Sequence, residues 1–265
     1  MSPTRRASAA RLVVGTLLAL VVAAGCAGPT SSSGRGPSSG PTGEGVVWRS
    51  GTSADSVLDS YRVTPWNTDD AEDPRAVESP DAPGRTAVEY TVPGGGTRSE
   101  LEPAYRSFRP GDEYWFGFAV YLPSDFPVDT SDWQVIAQWK NSGDGSPPLS
   151  VQVRGGRFVL DGGEGIGEHW SRDIGPARAG ARTDLVLRVH FSDDPDEGSV
   201  DVFQDGREVV SDYRPRGGTL YPDEVSYLKT GLYRSDDISQ EGSVYFDDVV
   251  IATSREAASS LASSS

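Results

Sequence analysis

Cysteine, methionine and histidine are scarce in this chain, whose 265 residues include one cysteine, one methionine and two histidines. A single cysteine cannot form a disulfide within the chain, so the fold must be stabilised by its core. The sequence also lacks a Cys/His cluster at metal-ligand spacing, a Gly-rich phosphate loop and a Gly-x-Ser-x-Gly elbow. We therefore expect that the protein requires no cofactor and has no catalytic metal site.

Positive charge is also in short supply, with 24 Lys and Arg residues against 39 Asp and Glu residues and a formal net charge of −15. A chain this acidic repels the phosphate backbone, and we expect no binding to nucleic acid. If the protein acts on a polyanion, a local cluster of basic groups must attract it against the overall field.

Long apolar runs are missing as well. The run at residues 12–24 follows three arginines and is too short to span a bilayer comfortably. It ends in small residues directly before Cys26, which predicts a signal peptide over residues 1–25 and resembles a bacterial lipobox. The resemblance implies a secreted lipoprotein that Cys26 anchors to the outer side of the cytoplasmic membrane. An ordinary cleavage site beside an incidental cysteine is the alternative.

The remaining chain divides by composition into three parts. Residues 26–45 are almost entirely Gly, Ser, Pro and Thr after the cysteine, which predicts a flexible tether. Residues 46–253 are enough for one large β domain, and we expect it to be a monomer. Residues 254–265 are rich in Ala and Ser and are expected to form a flexible tail.

Within the domain, short runs rich in β-branched and aromatic residues alternate with Gly, Pro, Asp and Ser clusters, and no long stretch has helical periodicity. Positive-φ turn residues at Asp205-Gly206 and Gly155-Gly156 predict two tight hairpins. The sequence thus predicts an all-β sandwich or jelly roll. The predicted strands are residues 86–92, 97–102, 114–122, 134–140, 149–153, 157–160, 184–191, 199–204, 208–213, 225–234 and 243–252.

Two of these regions carry further expectations. Residues 114–122 are apolar on both faces, which predicts a central strand. Residues 161–180, between two predicted strands, contain several glycines together with His169 and could form a lid over a groove; a plain surface loop is the alternative.

The predicted strand at 225–234 has an unusual polar face. Alternation places Tyr227, Lys229, Gly231 and Tyr233 on one side. Two phenols and an ammonium are unsuited to an apolar core but suited to the floor of a polar groove. Gly231 would leave room there for a ligand to approach the backbone. Tyr233 can exchange a proton, and the charge of Lys229 favours its phenolate. An edge strand with a solvated face is the alternative.

A second strand, 97–102, places Arg98, Glu100 and Glu102 on one face. A guanidinium held by a neighbouring carboxylate is well suited to bind the carboxylate of a sugar with two hydrogen bonds. A structural ion pair on a solvated strand is the alternative.

A third strand, 134–140, places Gln138 and Lys140 on one face, together with Gln134 and Ile136. The amide can bind a carboxylate or a hydroxyl, and Lys140 adds positive charge. Ordinary strand polarity is the alternative here. Side by side, the three strands would line a concave face with donors and cations.

These motifs, Arg-Ser-Glu-Leu, then Gln-x-Lys, then Tyr-x-Lys-x-Gly-x-Tyr, resemble in their order the jelly-roll polysaccharide lyases. They are similar to the family 7 alginate lyases and also to the glucuronan lyase and heparin lyase I group. Residues 245–249 favour the second of these two groups. The resemblance covers about residues 48–252. It implies a β-jelly roll, a concanavalin-like two-sheet sandwich, and β-elimination on a uronic-acid polysaccharide. It also implies that a structural calcium ion could bind, for which the acidic turn 193–197 is the candidate; a solvated acidic loop is the alternative.

By position, the resemblance assigns roles to the polar faces. Arg98 and Gln138 would neutralise the uronate carboxylate, and Tyr233 would be the acid and in a syn elimination also the base. Lys229 would hold the substrate. The remaining candidates for contact with the acidic polysaccharide are Tyr227, Glu100, Arg234 and His190.

Lys140 is the main departure, because these families commonly place a histidine there. A lysine at its ordinary pKa is a poor base at neutral pH. Lys140 is therefore an activated base, or a helper in neutralisation while Tyr233 transfers both protons, or a sign that activity is lost. His169 and His190 could substitute, although a surface histidine is the alternative for each.

Two functions of other classes compete with a lyase. A non-catalytic, lectin-like domain would bind acidic glycans without cleaving them, and Lys140 favours it. A glycoside hydrolase is disfavoured, because the predicted strands lack a pair of acids at suitable spacing.

Overall fold

The computed structural model describes residues 43–62, 64, 67–68 and 71–261. The predicted signal peptide, Cys26 and nearly all of the predicted tether lie outside these residues, so the lipid anchor stays a prediction. In the part of the chain that is described, none of the helices has the length and apolar character needed to cross a membrane.

Fifteen strands and one short α-helix follow one another along the described chain, together with short 3-10 helices at Leu58–Ser60 and Glu164–Ile166. They are β1 (Val46–Arg49), β2 (Tyr61–Arg62), β3 (Arg75–Glu78), β4 (Thr86–Val92), β5 (Arg98–Pro103), β6 (Glu113–Leu122), β7 (Gln134–Asn141), β8 (Leu149–Arg154), β9 (Arg157–Gly162), β10 (Trp170–Pro176), β11 (Ala181–His190), β12 (Ser199–Gln204), β13 (Arg207–Tyr213), β14 (Ser226–Arg234), β15 (Gly242–Ala252) and α1 (Arg255–Ala258). Each of the eleven predicted strands has its counterpart among them.

The strands form two antiparallel sheets. The eight-stranded sheet has the order β13-β12-β11-β6-β15-β4-β3, with β1 also paired to β15. The seven-stranded sheet has the order β10-β9-β8-β7-β14-β5-β2. In that sheet β5, β14 and β7 are neighbours although they are far apart in sequence. The predicted all-β, two-sheet sandwich is confirmed.

One continuous apolar core joins the sheets. Phe116 of β6 meets Trp139 of β7 edge to face, with ring centroids 4.9 Å apart, and Phe118 lies 6.2 Å from the same indole. The side chains of all three are fully buried. Because each strand turns its other side outward, the seven-stranded sheet can carry polar groups on its outer face without disturbing this core.

Both predicted tight turns are present. Asp205 and Gly206 have φ of 50° and 77°, and Gly155 and Gly156 have φ of 56° and 69°. Positive φ at two successive residues is the requirement of the turn that matches the twist of paired strands. The turns join β12 to β13 and β8 to β9, as predicted.

The region 161–180 is not a single loop or lid. It holds the end of β9, a 3-10 turn at Glu164–Ile166 and the edge strand β10. Glycine and proline within β10 hid its strand pattern, and an edge strand tolerates such residues because one side of its backbone is unpaired.

The predicted flexible tail is wrong for residues 254–261. Ser254 caps α1 by accepting a hydrogen bond from the amide of Ala257, and Ala257, Ala258 and Leu261 are buried against the outer face of the eight-stranded sheet. A Cβ at Gly117 of β6 would lie 2.2 Å from the carbonyl oxygen of Ala258. This cover explains why the central strand β6 is apolar on both faces.

We expect deletion of residues 254–265 to lower the free energy of unfolding by about 2–4 kcal/mol, because it removes a buried leucine and two buried alanines and exposes the sheet beneath. Urea denaturation of the truncated domain measures the change. Deletion of residues 262–265 alone is the matched control and should have almost no effect. Equal stability of the two truncated proteins would contradict the packing role of the segment.

Candidate functional site

The three polar strand faces meet on the outside of the seven-stranded sheet. Tyr233 of β14 is paired with Arg98 of β5 on one side and with Val135 of β7 on the other, and Lys229 is paired with Gln138. Cross-strand partners share a face. Registers set by backbone pairing therefore bring together groups that lie far apart in the sequence.

These side chains line one groove with a volume of about 540 Å³. Its walls come from β5, β14, β7, β8 and β9, from the segments that follow β7 and β9, and from Trp133, which precedes β7. The lining residues are Arg98, Trp133, Val135, Gln138, Lys140, Gly145, Ser146, Pro147, Ser150, Gln152, Arg154, Asp161, Gly162, Glu164, His169, Lys229 and Tyr233.

The carboxylate of Glu100 anchors three of the groove residues. It accepts a hydrogen bond from Gln138 Nε2 at 2.5 Å and one from Lys229 Nζ at 2.9 Å, and Arg98 Nε lies 3.7 Å away. Glu100 and Lys229 are each only 2% exposed. A buried ammonium needs such a partner, since an unpaired charge in this position would be strongly destabilising.

Glu100 was expected to contact the substrate, and its position does not fit that role. It is buried beneath the groove and is not one of the lining residues. A carboxylate would also repel a uronate. Its contacts make it the support that orients Gln138 and Lys229 from behind.

Tyr233 lies between an aromatic edge and a cation. The ring of Trp133 packs against it at 4.7 Å between centroids and an angle of 71°, and the guanidinium carbon of Arg98 lies 4.1 Å from the Tyr233 centroid. The cation in contact with the phenol ring is thus Arg98, whereas the ammonium of Lys229, expected beside Tyr233, is held by Glu100. Both contacts fix the orientation of the Tyr233 ring.

Lys140 lines the groove, but its ammonium is engaged by the turn that follows β7. Nζ donates to Asn141 O at 3.1 Å, to Asn141 Oδ1 at 2.8 Å and to Gly143 O at 2.6 Å. Burial lowers the pKa of Lys140, an effect that nearby Glu224 opposes and Lys229 strengthens. An ammonium has three N–H bonds. The three acceptors favour the ammonium form of Lys140, whereas burial acts in the opposite direction.

The alternation expected in β7 fails at Ile136, where an extra residue forms a β-bulge against β8. Ile136 turns into the core, Val135 replaces Gln134 on the groove face, and Gln134 is buried with its amide donating to Pro127 O and Val153 O. A bulge shifts the side-chain period by one residue, which the sequence pattern does not reveal.

Gly231 has a different task from the one expected. Its φ is 145°, and a Cβ there would lie 2.3 Å from Ser99 O and 3.0 Å from the ring of Tyr90 in the opposite sheet. The glycine therefore permits close packing of β14 against β5 and the core, and not the approach of a ligand.

Two of the expected contact residues lie outside the groove. Arg234 is fully buried and donates to the carbonyl oxygens of Val92 and Pro93, because it ends β14 facing the interior. His190 ends β11, in the other sheet. Neither position allows contact with a substrate in the groove.

Tyr227 does not line the groove either, although it is the register partner of Lys140. Burial raises the pKa of its phenol, and the carboxylates of Glu102 and Glu100 raise it further. Tyr227 is therefore a neutral phenol at neutral pH, half-buried beside the two glutamates.

The β8 side of the groove is not among the sites predicted from the sequence, although its signal is the same alternation. Ser150, Gln152 and Arg154 share the groove face of β8, and Asp161 of β9 is the register partner of Ser150. His169 joins them, with Nε2 3.2 Å from Asp161 Oδ2. In strand 149–153 the polar face carries no lysine or tyrosine, and so it did not stand out.

Among the described residues, no three His, Cys, Asp or Glu side chains are grouped so that they could hold a metal ion. The structural calcium ion considered for residues 193–197 stays a prediction. What the groove does offer is two guanidinium groups, two amides, two ammonium groups and a phenol, a set suited to a carboxylate next to a proton-transfer step.

Comparison with known proteins identifies related sequences and folds. Residues 40–250 match the family model described as polysaccharide lyase. No curated protein matches the chain.

Three solved structures show a similar fold. The endo-β-1,4-glucuronan lyase from the fungus Trichoderma reesei has a TM-score of 0.63 at 20% identity, with 79% of this chain and 96% of that chain covered. The family 7 alginate lyase A1-II′ has a TM-score of 0.52 at 15% identity, with 67% of this chain and 82% of that chain covered. The binding domain of Paraclostridial Mosquitocidal Protein 1 has a TM-score of 0.55 at 10% identity, with 82% of this chain and 52% of that chain covered. The predicted jelly-roll sandwich is confirmed.

We expect Glu100→Gln to lower the free energy of unfolding by about 3–5 kcal/mol, because it leaves the buried ammonium of Lys229 without a counter-charge. Chemical denaturation measures the loss. Glu113→Gln is the matched control: it removes an exposed partner of Arg188 and should cost less than about 1 kcal/mol. Similar losses in the two variants would show that Glu100 is not the anchor of the groove.

Proposed function

The chain belongs to the polysaccharide lyase family and is a lyase, and from this premise we propose that it cleaves a uronic-acid polysaccharide by β-elimination. The convergence of Arg98, Gln138 and Tyr233 in one groove carries the proposal. Of the three solved structures named above, one is a glucuronan lyase and one an alginate lyase, which supports an acidic substrate.

The first task of such a lyase is to neutralise the uronate carboxylate. The C5 proton is only weakly acidic, and its removal places negative charge on the carboxylate of the intermediate. Arg98 can donate to that carboxylate, as can the second amide hydrogen of Gln138, since the first is donated to Glu100. Lys140 and Lys229, the only two lysines of the chain, both line the groove and add positive charge there.

The second task is the transfer of two protons. Removal of the C5 proton forms the C4–C5 double bond, the C4–O4 bond breaks, and O4 takes up a proton. We assign both transfers to Tyr233, which receives the C5 proton as a phenolate and returns it to O4 in a syn elimination. This assignment is supported by the ring contacts of Tyr233 and by Lys140, whose three N–H bonds are all engaged.

A non-catalytic binding domain for acidic glycans is the second candidate. The observation in its favour is Lys140, a fixed ammonium at the position where a histidine base is common in the families that the sequence resembles. The same groove would then hold the acidic chain without breaking it.

We expect incubation with glucuronan, alginate, heparin-type chains or hyaluronan to raise the ultraviolet absorbance with at least one polymer, because β-elimination leaves an unsaturated sugar. Tyr233→Phe should lower that rate about 10²–10⁴-fold while binding is retained. Tyr121→Phe, which changes a tyrosine of the other sheet, is the matched control and should keep the rate. Binding without any new absorbance would favour the non-catalytic domain, and an unchanged rate in Tyr233→Phe would refute the role of Tyr233.

For Lys140→Met we expect turnover to fall less than about tenfold, because the change removes a rim charge and not the group that transfers protons. Steady-state kinetics on the active polymer, together with a thermal melt to detect loosening of the adjoining turn, measure the effect. A loss as large as that of Tyr233→Phe would instead identify Lys140 as the base.

A further inference from the structure

The β8 side of the groove holds polar groups that the proposed elimination does not use. Gln152 and Arg154 lie two residues apart on the groove face of β8, and Asp161 lines the same groove from β9. Their position next to β7 makes them part of the same groove wall as the candidate catalytic residues, but on different strands.

Gln152 is buried with an unsatisfied amide. The residue is 7% exposed and lines the groove, and Nε2 donates to Ser150 Oγ at 3.3 Å. Its Oε1 accepts no hydrogen bond from any described residue. A buried carbonyl without a donor is costly, so this side chain is suited to a ligand that brings a hydroxyl.

Arg154 presents a cation to the groove. Its side chain is 30% exposed, and Nη2 donates to Asp161 Oδ2 at 3.0 Å. Among the described residues Asp161 is the one hydrogen-bond acceptor of this guanidinium, and Arg154 lines the groove. The oxygen that holds Arg154 also lies 3.2 Å from His169 Nε2, which fixes both side chains on this wall.

The distance from the reaction centre follows from strand register. Tyr233 is paired with Val135, and Val135 with Gln152, so Gln152 lies two strands from the phenol. Two strand intervals are about 10 Å, which is beyond the reach of one sugar ring. A polymer running across the strands would reach Gln152 and Arg154 with a neighbouring sugar.

We infer that Gln152 and Arg154 form a second uronate subsite, in which the guanidinium of Arg154 binds a carboxylate and the amide of Gln152 accepts from a hydroxyl of the same sugar. This inference rests on the proposed function, because it assumes that the groove holds an acidic chain. A uronate fits better than a neutral sugar, since an exposed guanidinium oriented by an aspartate prefers a carboxylate.

The test measures binding by calorimetry in a Tyr233→Phe background, so that the ligand is not consumed. The probes are hexamers of β-1,4-linked glucuronic acid and of mannuronic acid. We expect Arg154→Gln to weaken binding of at least one hexamer about tenfold, and Gln152→Met, which keeps the volume and removes the acceptor, to weaken it several-fold. Arg157→Gln is the matched control, because Arg157 is the register partner of Arg154, pairs with Asp173 and does not line the groove.

The outcomes separate this subsite from the proposed function. Hexamer binding that is unchanged, to within about twofold, in both Arg154→Gln and Gln152→Met would overturn the subsite and leave the elimination proposal intact. Failure of the Tyr233→Phe protein to bind either hexamer would overturn the subsite for these two uronates, whereas the absorbance assay on the four polymers tests the elimination separately. A loss as large in Arg157→Gln as in Arg154→Gln would show that overall charge, and not a built site, decides the affinity.

Discussion

A buried carboxylate beneath the groove organises the candidate site. Glu100 pairs with the ammonium of Lys229, accepts from the amide of Gln138 and lies within ion-pair distance of Arg98. Each of these groups would destabilise the fold if it were buried without a partner, because charged groups and amides lose hydration inside a groove. The carboxylate lets the sheet keep donors in fixed positions facing the groove.

The same arrangement reconciles an acidic protein with the acidic substrate proposed for it. The chain carries a net charge of −15, yet its two lysines both line the groove, and Arg98 and Arg154 accompany them. Coulomb attraction at contact distance outweighs the screened field of distant surface carboxylates. Local placement of cations therefore decides what the groove attracts.

The sandwich supplies the rigidity that this placement needs. Aromatic packing between β6 and β7 holds the inner faces together, and the C-terminal segment covers the outer face of β6. Support from both sides leaves the seven-stranded sheet free to turn its outer face to a ligand. Polar residues on that face do not disturb the apolar core, because alternate side chains of each strand point away from the core.

The sequence by itself determined eleven of the fifteen strands, the two tight turns and the polar faces that hold Arg98, Gln138 and Tyr233, because alternation and positive-φ turns are local properties of the chain. Only the tertiary structure decided which strands are neighbours and which residues depart from the alternation of inward and outward side chains. The bulge at Ile136, the inward turn of Arg234 and the burial of Glu100 depend on register and on contacts between distant segments. No local pattern encodes those contacts, since they arise only when the two sheets pack.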